Sequence, residues 1–360
     1  MSPRVNTRFL MKFAHSRRLR RIIDGNFKEV VMSRELACRV FLATLVVLLV
    51  NCGRSEYQPD EIYYLVSTNT KLPYWQIAAN GLLKAAAQLR VKAEMAGPDT
   101  YDPKGEREAF ERILAGKPAG ILVSAADPVV ITPAIDTAIA QGIPVITIDS
   151  DAPASKRLMF IGTDNREVGR TAGRIAVKAL GGKGSVLFLT MPEQTNLKER
   201  LNGYLDAFSS APNIHIAEIV DIKGDARVAF DRTMDLVERG SHAVDAFLCL
   251  EASACAEVAE VLSRKYVKNK VVIAMDTDLR TLEWIQKGVI AATVAQKPYT
   301  MAFYGLKNLD DLHHRKPASL QSNFAKDSRS PIPVYVDTGA TLIDKSNVEA
   351  FIQAENEAKK

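Results

Sequence analysis

Residues 142–179, GIPVITIDSDAPASKRLMFIGTDNREVGRTAGRIAVKA, decide the fold. Pro144–Asp149 and Leu158–Gly162 are nearly continuous apolar runs. A strand with one wet face alternates apolar and polar residues, whereas a strand covered by helices on both faces does not. Asn165–Ala179 then takes a helical period, with Val168, Ala172, Ile175 and Ala179 on one side. Asp164 is placed to cap the free N–H groups of that helix, with acidic Glu167 in its first turn.

The same reading extends in both directions. Strand-like runs are Ile62–Ser67, Val91–Met95, Gly120–Ser124, Ser185–Thr190, Ile216–Ile222, Ala246–Leu250, Val271–Met275 and Ala291–Ala295. Helical periods lie between them, as in Tyr74–Leu89, where Ile77, Leu82, Ala85 and Leu89 fall together. The chain is therefore doubly wound α/β, and it is so twice, with the first set of strands ending near Gly162 and the second beginning near Ser185. Gly181-Gly182-Lys183-Gly184 follows a helix and precedes a strand, the reverse of the order a phosphate loop needs.

In such sheets ligands bind beyond the carboxyl ends of the strands. Those ends carry Tyr74 and Trp75 after the first strand, then Asp149, Arg200, Glu251, Asp276 and Gln296. Two aromatic rings, three carboxylates, a guanidinium and an amide suit a polyhydroxylated ligand. Carboxylates and amides hold neighbouring hydroxyls, arginine offers a rigid fork of donors, and flat rings cover the C–H face of a sugar. Each residue also has a structural reading: Asp149 and Asp276 as helix caps, Arg200 on a solvated helix face, Gln296 as a hinge residue, Tyr74 and Trp75 as core aromatics, with Glu251 open between the two. No nucleophile–base pair stands out, and the five histidines (His15, His215, His242, His313, His314) lie away from these strand ends. No catalytic residue, cofactor or metal ligand is expected, and no Cys/His spacing reads as a zinc site.

Composition adds the compartment. Val40–Val50 (VFLATLVVLLV) is uncharged, follows Arg34 and Arg39, and ends at Asn51-Cys52. It is too short to span a bilayer, which takes roughly 20 apolar residues, but fits the apolar core of a secretion signal. Leu49-Val50-Asn51-Cys52 resembles a bacterial lipoprotein cleavage box, with Asn51 departing from the usual small residue, so Cys52 is expected to carry the lipid. Residues 1–31 hold net charge +6 and residues 32–51 a further +1, which leaves the body near −2 and without a basic footprint for nucleic acid. Cys249 and Cys255 are expected to pack as two small apolar side chains, with a bridge as the alternative in an exported protein.

Four stretches carry a family resemblance: Ser67–Trp75 (STNTKLPYW), Gly142–Asp149 (GIPVITID), Gly162–Gly169 (GTDNREVG) with Gly173, and Ala291–Pro298 (AATVAQKP). Glu199-Arg200 with Gly203-Tyr204, and Val272–Asp276 (VIAMD), support them. By these the chain resembles the ribose-binding-protein-like, type 1 periplasmic substrate-binding proteins of bacterial sugar ABC transporters, over residues 60–350. The resemblance implies two doubly wound parallel-sheet lobes joined by a three-stranded hinge. The leader and lipoprotein-type signal would span 1–52, the N-terminal lobe 60–163 plus 297–332, and the C-terminal lobe 164–296 plus 333–350. Crossings would fall near Gly162–Asn165, Ala295–Lys297 and Ile332–Tyr335.

The resemblance places ligand contacts on Tyr74, Trp75, Asp149, Arg200, Asp276 and Gln296. Leu72, Ser150 and Leu250-Glu251 depart from the ribose pattern. It also implies a monomer, periplasmic or at the cell surface, that captures a sugar or polyol and delivers it to ABC permease subunits. A sensor of the same fold, signalling to a membrane receptor, is the alternative. An enzyme and a transcription regulator are disfavoured.

Overall fold

The computed structural model describes residues 60–240, 244–316 and 330–358, and these belong to one compact unit. The apolar run Val40–Val50 and Cys52 lie outside the described residues. Among the described residues no helix is long and apolar enough to cross a membrane.

Two six-stranded sheets form the frame. The first holds β1 (Ile62–Val66), β2 (Lys92–Ala96), β3 (Gly120–Val123), β4 (Val145–Ile148), β5 (Met159–Gly162) and β11 (Tyr335–Asp337), in the order β11-β5-β4-β3-β1-β2. The second holds β6 (Lys183–Thr190), β7 (Asn213–Asp221), β8 (Ala246–Cys249), β9 (Val271–Met275), β10 (Ala292–Ala295) and β12 (Thr341–Asp344), in the order β12-β10-β9-β8-β6-β7. All pairings are parallel except β10 with β12. Strands β3, β4 and β8 are buried along their whole length, as their unbroken apolar runs require.

Ten helices are described: α1 (Pro73–Leu89), α2 (Pro103–Ala115), α3 (Pro128–Ala140), α4 (Asn165–Ala179), α5 (Thr195–Phe208), α6 (Ala226–Glu238), α7 (Ala254–Arg264), α8 (Leu279–Gln286), α9 (Pro298–His314) and α10 (Val348–Ala358). Their starts follow from local chemistry. Proline opens α1, α2, α3 and α9, where its missing N–H costs nothing. Asp102, Asp127, Asp225 and Asp278 cap α2, α3, α6 and α8, and Asp164 caps α4 by accepting from Glu167 N at 2.9 Å.

Each sheet has its own core. Leu65, Ile121, Ile146 and Leu306 centre the first, and Phe188, Leu248, Val258 and Ile273 the second. The lobes approach at Tyr101, whose Cβ and ring lie against Gly224 and which packs on the second core.

Three differences from the sequence reading have physical causes. The third crossing falls between Asp337 and Thr341 instead of Ile332–Tyr335, because Tyr335–Asp337 pair with Phe160–Gly162 and belong to the first sheet. The buried face of α4 runs through Val168, Ala172 and Ala176, with Ala179 exposed, because α5 presses on its glycines. Cys249 and Cys255 form a disulfide, with Cα atoms 5.7 Å apart. Both are buried, but as a bridged pair and not as the two free apolar side chains expected, so the alternative is the one present.

Candidate functional site

In both sheets the strand order reverses beside the first strand of the set, β1 in the first and β6 in the second, while the strands stay parallel, and the ends of the strands there face one cleft. Backbone strain aims two of its carboxylates. Asp149 and Asp276 follow β4 and β9 with φ of 62° and 64°, in the left-handed region that aspartate tolerates better than bulkier residues. Neither caps a helix. Asp278, two residues on, caps α8, and Asp276 instead accepts from Gln296 N (3.1 Å) and Gln296 Nε2 (3.2 Å).

Asp149 is the centre of the first lobe's contribution. It accepts from the Tyr74 hydroxyl at 2.7 Å and the Ser124 hydroxyl at 3.1 Å. Asn196 Nδ2, from the other lobe, donates to its second oxygen at 3.3 Å. Tyr74 and Trp75 pack edge to face, with centroids 5.2 Å apart, and the indole N–H donates to the Thr68 hydroxyl at 3.2 Å.

Arg200 is buried, so it does not sit on a solvated helix face. Glycines put it there. A Cβ at Gly169 would stand 2.0 Å from Arg200 O, and one at Gly203 would stand 2.1 Å from Arg166 O. Only bare backbone lets α4 and α5 lie this close. The guanidinium donates to Leu250 O and to Asn165 Oδ1. Glu251 lines the cavity, but its oxygens already accept from Ser253 N (2.8 Å), the Ser253 hydroxyl (2.7 Å) and Ala254 N (2.6 Å) at the start of α7. It has taken up a capping task as well.

Electrostatics follow from burial. Desolvation, assisted by Asp149, pushes the Asp276 carboxyl up to about 6. It also raises Asp149 and Glu251, and it raises the Tyr74 hydroxyl well above the ordinary range. Arg200 opposes the shift at all three carboxylates, so a single cation serves three acids. Among the described residues, Arg200 Nε and Gln296 Oε1 are buried without a hydrogen-bond partner.

The polar groups converge on a cavity of about 60 Å³ bordered by Tyr74, Trp75, Asp149, Asn196, Glu251, Asp276 and Gln296. It shares Leu72, Tyr74, Ala252, Asp276 and Gln296 with a larger space of about 260 Å³. The arrangement can hold hydroxyls against carboxylates and amides, and offers nothing that resembles a nucleophile with its base. Six of the seven strand-end residues singled out from the sequence border this cavity, and Arg200 lies buried behind them, close enough to act on the charges of Asp149, Glu251 and Asp276. Sequence reasoning passed over Asn196, Ser124, Thr68 and Asn165. Ser124 ends an apolar strand just as Asp149 does, and that signal was available. Asn196 lies four residues before Arg200, which the sequence does single out, but its reach to the opposite lobe is a tertiary fact.

The family model described as periplasmic binding protein domain matches residues 62–316. The D-allose-binding periplasmic protein of Escherichia coli is 24% identical over 284 residues, covering 76% of this chain and 90% of that protein. The solved structure of AraP, an arabinose-binding protein from Geobacillus stearothermophilus, is 34% identical with a TM-score of 0.66, covering 81% of this chain and 99% of that one. A carbohydrate transporter solute-binding protein from Agrobacterium radiobacter, solved in complex with D-arabinose, is 27% identical with a TM-score of 0.72, covering 83% and 99%. The chain belongs to the periplasmic binding protein family, a family of binding proteins and not of enzymes.

Proposed function

We propose that this protein captures a monosaccharide or related polyol between its lobes and delivers it to an ABC importer, from a position outside the cytoplasm where Cys52 anchors it to the membrane. The observation that carries the reading is the cleft in which Tyr74, Trp75 and Asp149 of one lobe face Asn196, Glu251 and Asp276 of the other, with Gln296 at the crossing between them and Arg200 buried behind the three carboxylates. A sugar hydroxyl that satisfies Arg200 Nε or Gln296 Oε1 would bond to groups that otherwise stay buried and unpaired, which is costly. A ligand touching both lobes favours the closed arrangement by its differential affinity for it. The similarity to the allose-binding and arabinose-binding proteins supports the ligand class. The protein would present its closed form to permease subunits as a monomer.

A thermal-shift screen against pentoses, hexoses, amino sugars, cyclitols and nucleosides tests this. Of the two tryptophans, Trp75 lies in the cleft and Trp284 lies on α8 under Lys287, so Trp284→Phe leaves a cleft reporter. A monosaccharide should raise the melting temperature by mass action and change Trp75 emission. If no polyol does either, the sugar reading falls and the fold stands.

A further inference from the structure

We propose that the first lobe holds a divalent transition-metal site, of the kind zinc occupies, at the end remote from the ligand cleft. Its donors are Glu61, just ahead of β1, and Asp310 and His314, in the last turns of α9. One donor atom from each lies within 4.8 Å of the others. His314 Nε2 stands 3.3 Å from a Glu61 oxygen and 3.6 Å from an Asp310 oxygen. Two donors bound at roughly 2.1 Å to one tetrahedral zinc ion stand about 3.4 Å apart, so these spacings are those of ligands sharing an ion.

The chemistry of the set also fits. A neutral imidazole with two carboxylates suits zinc and its neighbours better than calcium or magnesium, which take oxygen donors. Glu61 and Asp310 are 8% and 5% exposed. Two buried carboxylates this close repel one another, and a doubly charged ion between them turns the repulsion into attraction. Supporting contacts are in place. The Tyr63 hydroxyl donates to Asp310 Oδ1 at 3.2 Å, and His313 Nε2 lies 4.0 Å from the other Glu61 oxygen, within reach of a fourth position. Hydrogen bonds of this sort orient metal ligands and strengthen them.

Position gives the site a purpose. At about 1.5 Å per residue, Asp310 lies about 18 Å and His314 about 24 Å along the helix from Pro298, which borders the cleft. Metal here would tie the first strand to the end of α9 and stabilise the lobe without touching the sugar. The sequence hides the site because Glu61 lies some 250 residues from its partners.

The rival is an ion pair in which a protonated His314 bridges the two acids. Purified protein, stripped with EDTA, is titrated with zinc chloride by calorimetry and melted with and without zinc. Cobalt(II) absorption reports whether the bound ion is tetrahedral, and its change in His314→Gln reports whether that imidazole is a ligand. The site predicts one zinc ion per chain, a zinc-dependent rise in melting temperature, and visible cobalt bands. His314→Gln and Asp310→Asn should each weaken zinc at least about tenfold while the sugar-induced thermal shift persists. Should either variant fail to fold, the wild-type cobalt spectrum and zinc-dependent melting decide. Absence of zinc binding, or zinc affinity unchanged in both variants because His15, His215 or His242 holds it, overturns the proposal.

Discussion

Gly203→Ala tests how the fold positions Arg200. The added methyl would lie 2.1 Å from Arg166 O and 2.8 Å from Arg170 N and Gly169 Cα. Non-bonded heavy atoms rest at about 3.5 Å or more, so α4 and α5 must part by about 1 Å. The obstacles are backbone atoms, which cannot swing aside as a side-chain tip can. Overpacking of this kind costs about 1–3 kcal/mol, and a lobe of this size loses about 2–4 °C per kcal/mol, so the melting temperature should fall by about 2–12 °C. Arg200 sits three residues earlier on the same helix and moves with it. Losing one hydrogen bond from a charged group costs about 1.5–3 kcal/mol, which weakens sugar binding about 10–100-fold. Gly142→Ala is the control. It has φ +79° and open space for a Cβ, so it should cost backbone strain alone and leave affinity unchanged. Calorimetric titration and thermal melting read both effects. A Gly203→Ala protein that melts and binds like wild type would refute the claim that bare backbone contact sets Arg200.

Asp276 should give stability a defined pH dependence. Its carboxyl titrates near 3.8 when unfolded and about 6 when folded, so the native state holds the proton more tightly. Stability should therefore fall as pH rises from about 4 to about 6, by about 3 kcal/mol from this group. Asp276→Asn should flatten urea-derived stability across that window, and an unchanged profile would remove Asp276 as its source. Replacing both Cys249 and Cys255 by alanine opens a short loop and should cost about 2 kcal/mol, read by urea melting. In the unfolded, unreduced wild-type protein, a thiol assay should find neither cysteine reactive. Asp151→Ala strands Arg157, whose side chain is 5% exposed and which binds both Asp151 oxygens. It should destabilise by about 3–5 kcal/mol, far more than loss of a surface pair such as Arg107–Glu111.

Legibility tracked burial. Strands covered on both faces, such as Gly120–Val123 and Ala246–Cys249, are continuous apolar runs that can be read directly. Tyr335–Asp337 and Thr341–Asp344 are short, partly exposed strands at sheet edges, and their pattern is too weak to find without their partners. The strand-end rule found the cleft because loop function follows strand direction. It could not foresee that Arg200 would be drawn inward by glycines on a neighbouring helix, or that Asn196 would cross to Asp149. Glu251 shows the limit from the other side. Its position is that of a ligand residue, yet three donors at the start of α7 already hold it. The disulfide was a matter of geometry, since six residues of separation permit a bridge without requiring one.

The most direct test of the central claim is calorimetric titration of the sugar found by the screen into wild-type, Asp149→Asn and Gln296→Leu proteins. Asp149 receives Tyr74, Ser124 and Asn196 from two lobes, and Gln296 offers a buried, unpartnered oxygen. One sugar should bind per chain, with a loss of about tenfold or more in affinity in each variant and near-wild-type melting for Asp149→Asn. Wild-type affinity in both variants would place the ligand elsewhere and contradict the account.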